Sequence, residues 1–297
     1  MIVNAVDCVD ETSFTRCFCY NINECSYSLT SYQISINMNN YLFKMRGRLY
    51  RLQGNIVKLM AKVYHRLAPS KRWDILSSPA KVNKTTQGIP LIIWQTNFSN
   101  RVTWPFIVNH HHNRARSKEF EYRYVSTEAR EEYLRNNAPQ KVLDAYMKLT
   151  DGAAQADVWR LFVLYKEGGV YMDFDATLLR SLYPFLSERD SLFINNYDEF
   201  TNFFMATKPQ SKLFKEFLDQ VVSNIENYQA AEGKSVYDTT GPGALKSVLK
   251  RHPEIKFEPH NIVCAQGVFT NEYFQYIDKP RSKWIYKKTF IKGLDGQ

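Results

Sequence analysis

The chain has 297 residues, of which 44% are hydrophobic and 14% aromatic, enough for one sizeable core and an appendage. No run of about 18 apolar residues occurs, so no helix is expected to cross a membrane; the first residues also lack the basic start and apolar run of a secretory signal, and the expected compartment is the cytosol. The net charge of +9 is local: Lys44, Arg46, Arg48, Arg51, Lys58, Lys62, Arg66, Lys71 and Arg72 account for it, and no acidic residue lies between Glu24 and Asp74.

Residues 1–37 are rich in Asn, Ser, Thr and Tyr and show no sustained helical or strand period, so they are expected to be disordered or foreign to the native protein. Cys8, Cys17, Cys19 and Cys25 crowd into this stretch without the paired C-x-x-C spacing of a zinc site. Translation is expected to start at Met38 or Met45; the intact mass of protein made from the native gene checks this, and a species containing Cys8 refutes it. Residues 38–85 read as a basic amphipathic helix and linker. Leu49, Leu52, Ile56, Leu59, Met60, Val63 and Leu67 recur at helical spacing. The basic residues of 41–73 suit that helix either to an anionic lipid surface or to packing on its own domain with a solvated basic face. Nucleic acid is not an expected partner, since no DNA or RNA motif accompanies the charge.

A polar linker, Ser77 to Gly88, leads into Ile89-Pro90-Leu91-Ile92-Ile93-Trp94-Gln95-Thr96, an apolar run of strand length. His110, His111 and His112 are consecutive and cannot all face one ion in a regular element, and helical zinc histidines stand at spacings such as i, i+4. Phe120 to Val125 alternates as a second strand, and Ser126 to Asn137 reads as a charged surface helix that Ser126 or Thr127 caps. Strand and helix in alternation predict an α/β fold.

The stretch from Ala154 to Leu179 is the centre of the chain. Ala156, Arg160, Val163 and Leu164 recur at helical spacing, and Gly168-Gly169 is the pair expected where a helix ends. A short apolar strand, Val170-Tyr171-Met172, then delivers Asp173 and Asp175 at its C-terminal end, where open α/β sheets bind ligands. Two hard carboxylates flanking one aromatic residue repel each other unless a cation sits between them, which suits a divalent ion carrying a diphosphate. Asp157 and Arg160 share one helical face. In isolation such a pair is a surface ion pair worth under about 1 kcal/mol; one helix and a turn ahead of the carboxylates, it reads as part of the site.

Ala154-x-x-Asp157-x-x-Arg160 followed by Gly168-Gly169-Val170-Tyr171-x-Asp173-x-Asp175 resembles the sugar-binding region of DXD-containing glycosyltransferases. The resemblance is to bacterial capsule and lipopolysaccharide enzymes related to the yeast initiating α-mannosyltransferases and, distantly, to the large clostridial glucosylating toxins. It implies a GT-A-like, single Rossmann-like α/β domain over residues 86–297, and a nucleotide-diphosphate sugar as donor. It implies Mn2+ or Mg2+ held by Asp173 and Asp175, with Asp175 placing the ion on the leaving diphosphate and Asp173 touching ribose or donor sugar. Asp157 and Arg160 would hold sugar hydroxyls, Gly169 and Tyr171 would belong to the donor site, and the anomeric configuration would be retained. Ile89 to Thr96 resembles the family's first strand, so Trp94, Gln95 and Thr96 are expected to support the nucleoside, although Leu91 and Trp94 stand where Lys and His are usual. The implied acceptor is a glycan or lipid-linked glycan, and the implied location is the inner face of the cytoplasmic membrane, reached through residues 41–73.

Farther on, Leu192-Phe193-Ile194 and Phe203-Phe204-Met205-Ala206 read as strands and Leu213 to Ile225 as an amphipathic helix. Thr239-Thr240-Gly241-Pro242-Gly243 resembles the family's T-G-P turn beside the sugar pocket, which adds Thr240 and Gly241 to the expected donor site. Ser282-Lys283-Trp284 lacks the histidine usual in the family's C-terminal Ser-Trp segment, and His260-Asn261 replaces it only by chemistry, so the third protein ligand is left unassigned. Two alternatives stand beside the transferase. Asp173-Phe174-Asp175-Ala176-Thr177 also matches the D-x-D-x-T of haloacid-dehalogenase-type phosphatases, where the first Asp attacks phosphorus and the second is the general acid, but no later acidic pair follows. The other is a catalytically inactive relative that binds a glycan or nucleotide.

Overall fold

A computed structural model of the chain describes residues 22–196, 199–229, 233–279 and 290–292, with the side chains of its first helix described from Met45 onward. The elements follow in chain order as α1 (Ile22–Leu67), β1 (Trp73–Asp74), β2 (Ile92–Thr96), β3 (Arg101–Val102), α2 (Trp104–Arg116), β4 (Glu121–Val125) and α3 (Thr127–Asn137). Next come α4 (Gln140–Lys148), α5 (Gly152–Glu167), β5 (Gly169–Met172), β6 (Ala176–Leu178), α6 (Tyr183–Leu186), β7 (Ser191–Asn196) and β8 (Glu199–Thr207). The chain closes with α7 (Lys212–Glu226), α8 (Val236–Thr239), α9 (Pro242–Leu249), β9 (Phe257–Pro259), α10 (His260–Val263), β10 (Cys264–Gln266) and α11 (Glu272–Gln275).

Two compact units divide between Arg46 and Gly47. The second unit takes in α1 from Gly47 onward. Helix α1 also begins at Ile22, ahead of residue 38, because a nucleated helix lengthens at little cost per residue even through Asn, Ser and Thr. Cys8, Cys17 and Cys19 lie outside the described residues. No described helix is long and apolar enough to cross a membrane.

Six strands form one mixed sheet in the order β4-β2-β5-β8-β7-β9, with β2 parallel to β4 and β5 and with β8 antiparallel to β5 and β7. Side chains alternate across it, as the period of two requires. Trp94, Tyr171, Phe193 and Met205 enter a core shared with α4, α5, α7 and α9. Their neighbours Ile93, Val170, Met172, Leu192 and Phe204 enter the core on the other face, with residues of α6, β6, α10 and β10. Sheet between helices is the α/β layering that the alternation of elements predicts.

The turn that leads into β5 has a strict geometric demand. Gly168 and Gly169 have φ of +67° and +96°, and a Cβ on Gly169 would lie 2.7 Å from the Ile92 carbonyl oxygen. Only glycine lets the chain reverse there and lie this close to β2. Ser126 caps α3 as expected, accepting from the Ala129 N–H. Two of the three histidines of α2 are structural, and His111 is exposed: His112 Nε2 lies 2.9 Å from the Leu178 carbonyl oxygen, and the His110 ring packs edge-on to Tyr122.

Helix α1 docks through its smallest residues. A Cβ on Gly54 would fall 1.9 Å from the Val268 carbonyl oxygen, so this face meets the 264–269 segment backbone to backbone. Alanine is the better helix former by about 1 kcal/mol, yet here overpacking costing about 1–3 kcal/mol outweighs that gain. Gly54→Ala is therefore expected to lower the urea midpoint of the full chain, and a raised midpoint would show that the helix does not seat on Val268.

Candidate active site

Strand β5 carries Tyr171 and Met172 to its C-terminal edge, and the Asp173 N–H still pairs with the Phe203 carbonyl at 2.7 Å. A tight turn closes by the Ala176 N–H donating to the Asp173 carbonyl at 2.9 Å, and it places Asp175 between β5 and β6. Two asparagines of α2 fix the turn from below: Asn109 and Asn113 both donate to the Ala176 carbonyl at 2.9 Å, and Thr177 Oγ1 donates to Asn109 Oδ1 at 2.6 Å. Strand β10 pairs with β6 and sets Gln266 opposite Ala176. From there the Gln266 amide donates to Asp173 Oδ2 at 2.9 Å and to Asp175 Oδ1 at 3.4 Å. One NH2 group thus stands where a cation shared by the two carboxylates would stand, and the hard oxygen donors around it suit Mn2+ or Mg2+.

Behind the carboxylates lies a buried charge network. Arg160 Nη2 is 3.1 Å from Asp157 Oδ1 and Nη1 is 3.5 Å from Asp173 Oδ1, while the guanidinium lies 4.2 Å from the Tyr171 ring centroid. Tyr171 Oη donates to Asp173 Oδ1 at 2.7 Å. Asp157 accepts from Thr240 Oγ1 at 2.9 Å and from Asn202 Nδ2 at 3.0 Å. Burial pulls the Arg160 pKa down, but Tyr171, Asp157 and Asp173 more than offset it, so the guanidinium stays charged. Burial raises the carboxyl of Asp157, against the pull of Arg160 and Thr240, and raises that of Asp173 against Arg160 and Tyr171.

A cleft of about 330 Å³ opens on this network. Thr96, Asn97, Arg130, Tyr171, Asp173, Asp175, Gln266, Glu272, Tyr276 and Lys279 are among its walls. Arg130 is buried, donates from Nη2 to Thr127 Oγ1 at 3.0 Å, and keeps Nε without a partner. A more open surface hollow of about 610 Å³ lies along the linker from Ser77 to Lys84 and against Glu121, remote in composition from the carboxylate pair.

The residues singled out from the sequence fall into two groups. Asp157, Arg160, Tyr171, Asp173, Asp175 and Thr240 are brought together, and Thr96 lines the cleft beside them. Trp94 is instead buried in the core, with Nε1 donating to the Gly168 carbonyl at 2.9 Å. Gln95 is buried beneath the turn, 3.5 Å from the Asp173 carbonyl oxygen, so it supports the turn's backbone. Gly169 serves the α5–β5 reversal, and Gly241 stands ahead of α9 as its N-cap. His260 opens α10 outside the cleft walls, and Ser282, Lys283 and Trp284 lie outside the described residues. Among the described residues no group of three His, Cys, Asp or Glu is placed to hold a metal. Gln266, Glu272, Tyr276, Lys279, Arg130 and Asn202 carry no motif that would have marked them.

Residues 81–200 match the family model described as "Glycosyltransferase sugar-binding region containing DXD motif". That region holds the DxD pair and the Asp157–Arg160 pair, and it supports a transferase. Among solved structures the chain is similar to "PaToxG Glycosyltransferase", with 16% identity and a TM-score of 0.46 over 70% of this chain and 79% of that one. It is also similar to the ligand-free glycosyltransferase domain from the YGT toxin, with 13% identity and a TM-score of 0.35 over 50% of this chain and 54% of that one, about half its length. No curated protein matches the chain.

The carboxylate pair has a measurable consequence. Burial, and then the neighbouring charge of Asp173, push the Asp175 carboxyl from 3.8 up to about 7. A folded-state pKa above the unfolded one means that the folded protein keeps a proton the unfolded chain has released. The stabilisation from this group is therefore fully present below about pH 4 and is lost as pH rises through about 7. With divalent ions chelated, the urea midpoint of the protein is expected to fall between about pH 5 and pH 8 more steeply than that of Asp175→Asn, and Mn2+ is expected to restore it at the higher pH. Parallel curves for the two proteins would remove Asp175 as the source.

Proposed function

We propose that this protein is a metal-dependent, retaining glycosyltransferase that moves a sugar from a nucleotide-diphosphate sugar to a glycan acceptor. The observation that carries the reading is the convergence of Asp173 Oδ2 and Asp175 Oδ1 on one point at the cleft, within the region that matches the DXD sugar-binding model. Asp173 and Asp175 would hold Mn2+ or Mg2+, which supplies positive charge to the leaving diphosphate. Since the described residues provide no third anionic ligand, Gln266 turned to present its oxygen, water and diphosphate oxygens would complete the shell.

The chain's own residues do the positioning. Thr240, Asn202 and Arg160 hold the Asp157 carboxylate in one orientation, and Asp157 with Arg160 would meet sugar hydroxyls at the base of the site. Tyr171 and Arg160 fix Asp173, so that its second oxygen points to the place of the shared cation. Arg130 and Lys279 put positive charge on the cleft wall, where an anionic donor gains from a field already in place. Glu272 adds a third carboxylate to the wall and raises the Asp175 pKa further. Retention without a committed covalent nucleophile is what the resemblance of the motif string implies. By the resemblance of its motif string, the acceptor belongs to the capsule or lipopolysaccharide class.

The test is a panel of UDP- and GDP-sugars assayed for metal-dependent binding and hydrolysis, with product configuration read by NMR. The expected result is turnover of one donor that is abolished by chelation and reduced about a hundredfold or more in Asp175→Asn, a loss comparable to removing one transition-state charge partner. The expected product keeps the anomeric configuration; an inverted product would overturn retention. Release of phosphate from monoesters without sugar transfer would favour the phosphatase chemistry of Asp173. Donor binding with no turnover under any acceptor would leave a binding module.

A further inference from the structure

Helix α1 from Gly47 onward has two opposed faces. On one face Gly54 and Ala61 are buried, Lys58 Nζ donates to the Gly267 carbonyl at 2.8 Å, and Tyr50 packs edge-on to His112 at 5.0 Å. The other face carries Leu49, Leu52, Ile56, Leu59, Val63 and Leu67, which repeat every three or four residues and so form one stripe along the helix. All six are between 51% and 81% exposed, and they account for most of the large exposed hydrophobic side chains among the described residues. The domain is therefore seated on the small-residue face, and the large apolar face is turned outward with no described residue covering it. A stripe of this length and composition on a soluble surface marks a docking site.

Charge decides what docks there. Arg48, Arg51, Lys62 and Arg66 are exposed along and beside the stripe, and between Glu24 and Asp74 the sequence offers no carboxylate to pair with them. A second copy laid along the same stripe would set these cations against their own counterparts with no acidic partner, which opposes association. A bilayer rich in anionic headgroups reverses the sign: the apolar stripe sinks about 5–10 Å into the headgroup boundary while the basic side chains reach the phosphates. We infer that the outward face of α1, from Leu49 to Leu67, seats this protein on the anionic surface of a lipid bilayer. The inference is independent of the reaction catalysed. Its docked face touches Gly267, next to the Gln266 that spans the two carboxylates, so the seat and the cleft share one backbone segment.

The full chain is tested by co-sedimentation with vesicles of phosphatidylcholine alone and of phosphatidylcholine with phosphatidylserine, at low and high salt. Binding is expected to the anionic vesicles only, and to weaken with salt as screening shortens the electrostatic reach. Arg48→Gln, Arg51→Gln and Arg66→Gln together are expected to weaken it about a hundredfold, since each basic residue near such a surface contributes roughly fivefold. Leu52→Glu with Leu59→Glu is expected to abolish it, while the thermal melt stays unchanged because both side chains are exposed. Equal binding to both vesicle types, no binding to either, or a wild-type dimer in sedimentation velocity that the glutamate pair dissociates would each overturn the inference.

Discussion

The Arg160 guanidinium, buried between Asp157 and Asp173 and laid over the Tyr171 ring, is the charge around which the site is built. Two carboxylates taken out of water need an opposite charge and a full set of hydrogen bonds, and breaking such a network by removing one member costs about 3–5 kcal/mol. Arg160 supplies that charge from the middle of α5, while Tyr171, Thr240 and Asn202 supply the hydrogen bonds from three other elements. The network faces inward. Asp175, at the end of the chain of charges, makes no contact with the guanidinium, and burial together with the charge of Asp173 pushes its carboxyl up to about 7. A divalent cation at that end, as proposed for the reaction, would offset the repulsion between Asp173 and Asp175.

The scaffold holds this arrangement through backbone geometry more than through side-chain bulk. Gly168 and Gly169 reverse the chain from α5 into β5 within two residues, so Arg160 and Asp173 meet across a short connection. Asn109 and Asn113 then hold the turn after Asp173 by its carbonyl groups. That leaves the two aspartate side chains pointing into the cleft. The return strand β10 brings Gln266 to the same place from ninety residues downstream, and α1 clamps the next residue, Gly267, through Lys58.

Helix α1 illustrates how a single amphipathic pattern serves two surfaces. Its large apolar residues look, in the sequence, like a face meant for the core. Backbone contact at Gly54 requires the opposite, small-residue face to be inward, and rotation of a rigid helix then carries the leucines outward. Arg48, Arg51, Lys62 and Arg66 follow the same rotation and end at the rim of the exposed stripe, while Lys58 is carried to the docked face.

Much of this protein was legible in its sequence because local signals and burial agree. The apolar runs at Ile92, Val170, Leu192 and Phe203 became neighbouring strands of one sheet, the Gly168-Gly169 stop ended α5, and Ser126 capped α3. The Asp157, Arg160, Asp173 and Asp175 string was marked by its resemblance to the DXD sugar-binding region, and α5 and the turn after β5 bring the four side chains together. What only the tertiary structure decided concerns contacts between segments far apart in the chain. Gln266 reached the carboxylates because β10 pairs with β6, and Asn202 and Thr240 reached Asp157 from separate elements. Trp94, expected to support a nucleoside, went into the core because its register opposite Tyr171 puts it on the face of the sheet covered by α4, α5, α7 and α9. A linear pattern specifies which residues share a face; which face turns inward is settled by the packing partner, and at Gly54 and Trp94 that partner is remote in sequence.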